Sequence, residues 1–178
     1  VETLQRLRMS YEEYQALPEH VRAEWVDGEV VVTPSANFDH QEISLTLAWL
    51  LKTSLPSLRI VEAVTTYLPH NRERIPDIIA VVRRPEGTHI TDTPVLVVEI
   101  LSRSTRNEDT VRKSGEYLGA GIGQYWVVDP ALRTIEVFES RGDAWMSVAY
   151  VDKTSPEAEV TVSGFGTVPL SLAVLDVE

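Results

Sequence analysis

Two apolar runs, each broken by a single carboxylate, limit what this chain can fold into. Arg74-Ile75-Pro76-Asp77-Ile78-Ile79-Ala80-Val81-Val82 holds Asp77, and Pro94-Val95-Leu96-Val97-Val98-Glu99-Ile100-Leu101 holds Glu99. A strand that is apolar on both faces belongs in the middle of a covered sheet, so both runs read as central strands. An uncompensated charge at such a place is costly. Two compensations are open: a cation from the chain, such as Lys113, or a divalent metal gripped by both acids. Counting by twos puts Asp77 on a face with Ile75, Ile79 and Val81, and Glu99 on a face with Val95, Val97 and Leu101. If the strands are neighbours, both carboxylates aim at one spot.

The flanking elements follow from caps, turns and periodicity. Ser10 and Glu13 form a capping-box pattern that predicts a short helix ending before Pro18. Asp27-Gly28 between Ala23–Val26 and Glu29–Val32 predicts a hairpin. Asp39 and Glu42 suggest a second helix start, and Ile43, Leu47, Leu50, Leu51 and Leu55 keep helical spacing. Leu58 to Tyr67 reads as a strand and residues 70–73 as a turn. Ser102, Ser104 and Thr105 read as caps for a helix from about Asn107 to Ala120, closed by Gly121. Gln124–Val128, Thr134–Glu139 and Trp145–Val151 read as a meander, and the tail from Val160 as one or two short edge strands. This order predicts an α/β layered domain with a mixed sheet and a helix on each face; the Glu99 strand, its helix and the Gln124 strand make a right-handed βαβ unit.

Residues 9–178 are expected to form one domain and residues 1–8 a disordered leader. No apolar run approaches the roughly 20 residues that span a bilayer. The absence of cysteine removes disulfides and thiolate metal sites and is compatible with a cytoplasmic location. A net charge of −11 speaks at first against a nucleic-acid partner. The acidity lies at the two ends, however: residues 43–142 hold twelve basic against twelve acidic side chains. Local potential, not net charge, decides whether a phosphate can approach.

Three further candidates each carry two readings. His40 falls on the apolar stripe of its helix, as a packed, hydrogen-bonded histidine or as a site residue. Glu24 is an ordinary edge-strand glutamate or a third acid. Lys113 is four residues from Asp109, in a solvated helix salt bridge or turned toward the sheet, sharing its side of the helix with Tyr117. The four tryptophans read as core. No Gly-rich phosphate loop, nucleophile elbow or histidine metal motif is present.

Pro76-Asp77, followed 22 positions later by Glu99 in an apolar strand, resembles the PD-(D/E)xK nuclease superfamily. That motif closes with a lysine two residues after the second acid, where this chain has Leu101. Arg22-Ala23-Glu24-Trp25-Val26-Asp27-Gly28-Glu29, Pro76-Asp77, Glu99 to Thr105, Asp109, Lys113, Tyr117, Gly121 and Tyr125-Trp126-Val127-Val128-Asp129-Pro130 together resemble the Uma-two family of restriction endonucleases, over about residues 9–150. Gln124 stands where a glutamate is expected and reads as a surface change.

The resemblance implies a restriction endonuclease-like mixed sheet flanked by helices and a Mg²⁺- or Mn²⁺-dependent endonuclease acting on nucleic acid, DNA in the first place. It also implies a homodimer. Asp77, Glu99 and the Ile100 backbone carbonyl would be metal ligands, and Lys113 would replace the missing strand lysine as the group that positions the attacking water. Two rivals stay open: a binding or interaction module that keeps the fold without cleavage, and a structural ion pair in which Asp77 is matched by Lys113 or an arginine.

Overall fold

The computed structural model describes residues 4–18, 21–33, 36–102 and 106–177. In chain order the elements are β1 (Gln5–Arg8), α1 (Tyr11–Gln15), β2 (Ala23–Val26), β3 (Glu29–Val32), α2 (Phe38–Ser54), β4 (Arg59–Glu62), β5 (Thr66–Leu68), β6 (Arg72–Arg74), β7 (Ile78–Val81) and β8 (Leu96–Ile100). A wide π-helical turn (Glu108–Lys113) then leads into α3 (Ser114–Gly119), and β9 (Gln124–Asp129), β10 (Thr134–Arg141), β11 (Ala144–Val151), β12 (Glu157–Val162), β13 (Gly166–Ser171) and a short 3₁₀ turn (Leu172–Leu175) follow.

The large sheet has the order β11-β10-β9-β8-β7-β4. Its pairs are antiparallel except β8 and β9, which run parallel as the βαβ reading requires. On one face, Ile43, Leu47, Leu51 and Leu55 of α2 pack on Ile78, Ala80, Leu96, Val98, Ile100 and Trp126. Val160, Val162, Val168 and Leu170 of the β12–β13 hairpin complete that core. On the other, Tyr117 and Ile122 cover Ile79, Val81, Val97 and Tyr125. This is the mixed sheet with a helix on each face.

A second sheet, ordered β1-β3-β2-β6-β5, is where the structure departs from the sequence reading. Gln5–Arg8, expected as part of a disordered leader, pairs with β3 along its whole length. The run read as one strand from Leu58 to Tyr67 is broken at Ala63, whose φ of 52° turns the chain, so β4 joins the large sheet and β5 the small one. The turn expected over residues 70–73 tightens to His70-Asn71, both at positive φ, and releases Arg72–Arg74 as β6. The hairpin at Asp27-Gly28 forms as predicted, both residues at positive φ as a two-residue turn of this hand demands.

Three local expectations also change. The cap of α2 is Asn37, whose side chain accepts the His40 N–H at 2.8 Å, and Asp39 sits inside the first turn. The expected caps Ser104 and Thr105 lie outside the described residues. Trp25 and Trp126 are core, but Trp49 is 67% exposed on the outer face of α2. Gln124 is buried, not a surface change: its side chain donates to the Thr161 carbonyl at 2.8 Å and accepts from Trp126 Nε1 at 3.0 Å. Among the described residues no helix is long and apolar enough to cross a membrane.

Candidate active site

The antiparallel ladder between β7 and β8 sets Ile78 opposite Val98. One step further along, that register puts Asp77 across from Glu99. The sequence forces this crossing point. Pro76 has no N–H to give a ladder and holds Ile75 extended, so the chain leaves the small sheet at Arg74 and enters the large one only at Ile78. Asp77 sits in that gap, with Oδ2 accepting the Ile100 N–H at 2.8 Å. Arg22 Nη2 reaches Oδ1 at 3.3 Å, and His40 Nε2 lies 3.2 Å from Oδ2.

Glu99 is buried, and its two partners among the described residues come from the helical layer. Lys113 Nζ is 3.0 Å and the Tyr117 hydroxyl 2.5 Å away, both on Oε1. None of these bonds uses Oε2. Lys113 is 4% exposed and also lies 3.1 Å from Asp109 Oδ1 and 3.3 Å from Glu24 Oε1. The solvated-pair reading of Asp109 and Lys113 is therefore overturned, since both side chains are buried. So is the reading of Glu24 as an ordinary edge glutamate: it takes the Ile75 N–H at 2.8 Å and an Arg74 N–H at 2.9 Å, with no more than 1% exposure.

Behind these groups stands Arg74, fully buried and shared among three acids. It forks onto Glu116 at 2.6 and 2.8 Å, donates to Glu24, and lies 2.8 Å from Glu108. Arg6 of β1 also pairs with Glu108. This network bolts the small sheet to the wide turn and α3.

The electrostatics follow from crowding. Burial pushes the Asp77 carboxyl up, but the His40 bond and charge, the Ile100 N–H and Lys113 outweigh it and hold Asp77 below the usual range. Burial also pushes up Glu24, and there Lys113, Arg74 and the Ile75 N–H reverse it. Glu99 goes the other way. Burial raises it, and Asp109, Asp77 and Glu24 raise it further against the pull of Lys113, so it lies well above an ordinary carboxylate. Lys113 loses hydration on burial, yet Asp109, Glu24 and Glu99 keep it charged well past the usual lysine range. His40 is likewise penalised by burial and raised on balance by Asp77.

Asp77, Glu99, Lys113, His40 and Glu24 line one cavity of about 400 Å³, together with Arg22, Ile100, Ser102 and Asp109. All five candidate side chains thus meet, although they come from β2, α2, β8, the wide turn and the approach to β7. Reasoning from sequence missed Arg22, Arg74, Tyr117 and Tyr125 as neighbours of the site. Tyr117 had a signal, since it follows Lys113 by one helical turn; Arg74 had none, because the acids it pairs with are far away in sequence.

Among the described residues no three histidine or acidic side chains form a ready cage for a metal. The donor set still suits a hard cation. Mg²⁺ is commonly held by one or two carboxylates with waters completing its shell, and Asp77, Glu99 and the Ile100 peptide border the cavity together.

A mixed sheet covered on both faces, whose central antiparallel strands bring an aspartate and a glutamate side by side over a buried lysine, places this chain among the nuclease folds. A solved structure described as "a putative nuclease belonging to DUF820 from Anabaena variabilis ATCC 29413" superposes with a TM-score of 0.76 at 20% identity, covering 94% of this chain and 97% of that one. The chain belongs to the Uma2 family, described as "Putative restriction endonuclease", whose model matches residues 11–175. No curated protein matches this chain in sequence.

Proposed function

We propose that the protein is a divalent-metal-dependent endonuclease that hydrolyses phosphodiester bonds in DNA, with Asp77, Glu99 and Lys113 at its centre. The observation that carries this is their convergence in one cavity, Asp77 beside Glu99 and Lys113 Nζ 3.0 Å from Glu99. Asp77, Glu99 and the Ile100 carbonyl are the groups that would hold Mg²⁺ or Mn²⁺. When bound, such an ion supplies charge stabilisation at the phosphate and a more acidic water.

The chain's own residues do the rest. His40 and the Ile100 N–H fix the orientation of Asp77. Glu24 and Asp109 hold the Lys113 ammonium at the mouth of the carboxylate pair, where its protons can orient the attacking water and offset charge on the phosphoryl oxygens. Water oxygen bonds to phosphorus as a phosphorus–oxygen ester bond breaks; the water gives up a proton to solvent, the leaving sugar oxygen keeps the bonding pair and takes a proton from solvent, and Arg22 adds a positive group beside the approaching backbone. A homodimer belongs to the same proposal, because one copy offers one cavity and a duplex has two strands; a single monomeric species in sedimentation velocity at micromolar concentration would count against it.

One observation favours a second reading, a nuclease-fold binding module without cleavage: Lys113 Nζ is already engaged by three carboxylates. Incubation of supercoiled plasmid with Mn²⁺, against a chelator control, separates the two. Metal-dependent nicking that Asp77→Asn abolishes supports the enzyme, and retention of plasmid without nicking supports the module.

Metal binding itself has a simpler readout. A ligand bound only by the folded state adds RT ln(1 + [L]/Kd), about 2.7 kcal/mol at a hundredfold excess over Kd. The melting temperature should therefore climb with Mn²⁺ concentration in calorimetry, and the same climb in Asp77→Ala would sink the assignment.

A further inference from the structure

Lys113 does not arrive at the site on a regular helix. From Glu108 to Lys113 the backbone makes a wide π-helical turn and tightens only at α3. In an α-helix the carbonyl of residue 109 accepts the N–H of residue 113. Here the Tyr125 hydroxyl donates to the Asp109 carbonyl at 2.6 Å. A side chain inserted into the helical ladder is a physical cause of such widening, and single wide turns recur at functional sites.

Tyr125 is well placed to act as a fixed reference. It lies on β9, paired with Val97 of β8, two residues along from Glu99. The side chain is 1% exposed, and its ring meets those of Tyr117, Phe138 and Trp145 at 5.4, 6.4 and 5.9 Å. One turn further on, Trp145 Nε1 donates to the Ser114 carbonyl at 3.0 Å, so the large sheet grips this helical segment at two carbonyls a turn apart. The first of them belongs to the residue whose side chain holds Lys113 Nζ.

We propose that Tyr125 is a positioning residue for hydrolysis: by holding the Asp109 carbonyl, its hydroxyl sets the wide turn that delivers the Lys113 ammonium to Glu99. This rests on the reading of Lys113 as the water-positioning group. The role is distinct from packing, because Tyr125→Phe keeps the ring and its three aromatic contacts and removes only the hydroxyl.

The test compares wild type, Tyr125→Phe, Lys113→Met and the double variant in Mn²⁺-dependent plasmid nicking, with hydrogen exchange of the segment 108–119 followed on metal-free protein. Displacement of a catalytic group by a fraction of an ångström to one ångström costs about tenfold to a hundredfold. Tyr125→Phe should lose that much kcat with KM within about twofold, and the segment should exchange faster. In the Lys113→Met background the same change should alter kcat less than about twofold, since coupled residues are not additive. Wild-type kcat in Tyr125→Phe, unchanged exchange, or a full and additive loss in the double variant would each overturn the inference. A Lys113→Met protein as active as wild type, or a wild type that cuts nothing, would remove the Lys113 reading itself and the inference with it.

Discussion

Arg74→Met is expected to lower the melting temperature by roughly 6–20 °C, the equivalent of about 3–5 kcal/mol for removing one partner of a buried ion network in a chain of this size. The side chain has no exposed surface and faces Glu24, Glu108 and Glu116. Methionine fills much of the same volume, so the loss is electrostatic: buried Glu24 and Glu108 would be left to Lys113, Arg6 and a backbone N–H, and Glu116 would lose its fork. Arg74→Lys should fall between the two, because an ammonium keeps the charge and cannot make the fork onto Glu116 while also reaching Glu24. The exposed pair of Arg83 and Asp92 supplies the comparison. There Arg83→Ala should leave the melting temperature nearly unchanged, as solvent screens such pairs. A thermal melt of Arg74→Met that matches wild type would mean the network contributes nothing to holding the small sheet to the wide turn and α3.

Lys113→Met carries the largest expected effect on activity, a fall in rate of about a hundredfold or more with Mn²⁺ binding retained. It also removes the ammonium shared by Glu24, Glu99 and Asp109. The variant should therefore be less stable at neutral pH, by more than the tenths of a kcal/mol a surface helix pair would account for. The sign of its pH dependence follows. Glu99, already raised in the folded protein, rises further once Lys113 is gone. A raised carboxyl contributes stability that is complete below its ordinary value of 4.5 and is lost as pH rises through its folded value. The gap between variant and wild type should thus narrow as pH is lowered through the folded Glu99 value. Rates measured at low temperature, with the fold verified by circular dichroism, separate loss of chemistry from loss of structure. Full activity in Lys113→Met would reject its role in positioning water.

The central strands, the β2–β3 hairpin and α1 were legible because their signals are local. Asp77 and Glu99 stand out against β-branched runs, Asp27-Gly28 can turn in only a few ways, and Ser10 with Glu13 makes both bonds of its capping box. The β6 strand of the small sheet was not legible because its buried positions are polar. Arg72-Glu73-Arg74 breaks the rule that core positions are apolar, and is tolerated only because Glu73 is taken by Tyr11 and Tyr14 and Arg74 by three acids. Those partners are 42 to 62 residues away for all but Glu108, which is still more than 30 away, and no local pattern announces them. The site shows the same division. Its two acids were visible as anomalies within their strands, whereas burial of Lys113 depends on a wide turn set by Tyr125, and an Asp109–Lys113 spacing alone looks like a solvated pair. Trp49 failed for the opposite reason: an apolar residue on a helix does not have to face inward.

The account stands most directly on one measurement, the anomalous difference map of a crystal soaked in Mn²⁺. It predicts a peak between the Asp77 and Glu99 carboxylates, about 2.0–2.3 Å from an oxygen of each and beside the Ile100 carbonyl, that disappears in Asp77→Asn. A map with no peak at that point, or with Mn²⁺ bound only at the surface while Lys113 still bridges Glu99 and Asp109, would contradict it and leave the carboxylates as partners in a structural ion network.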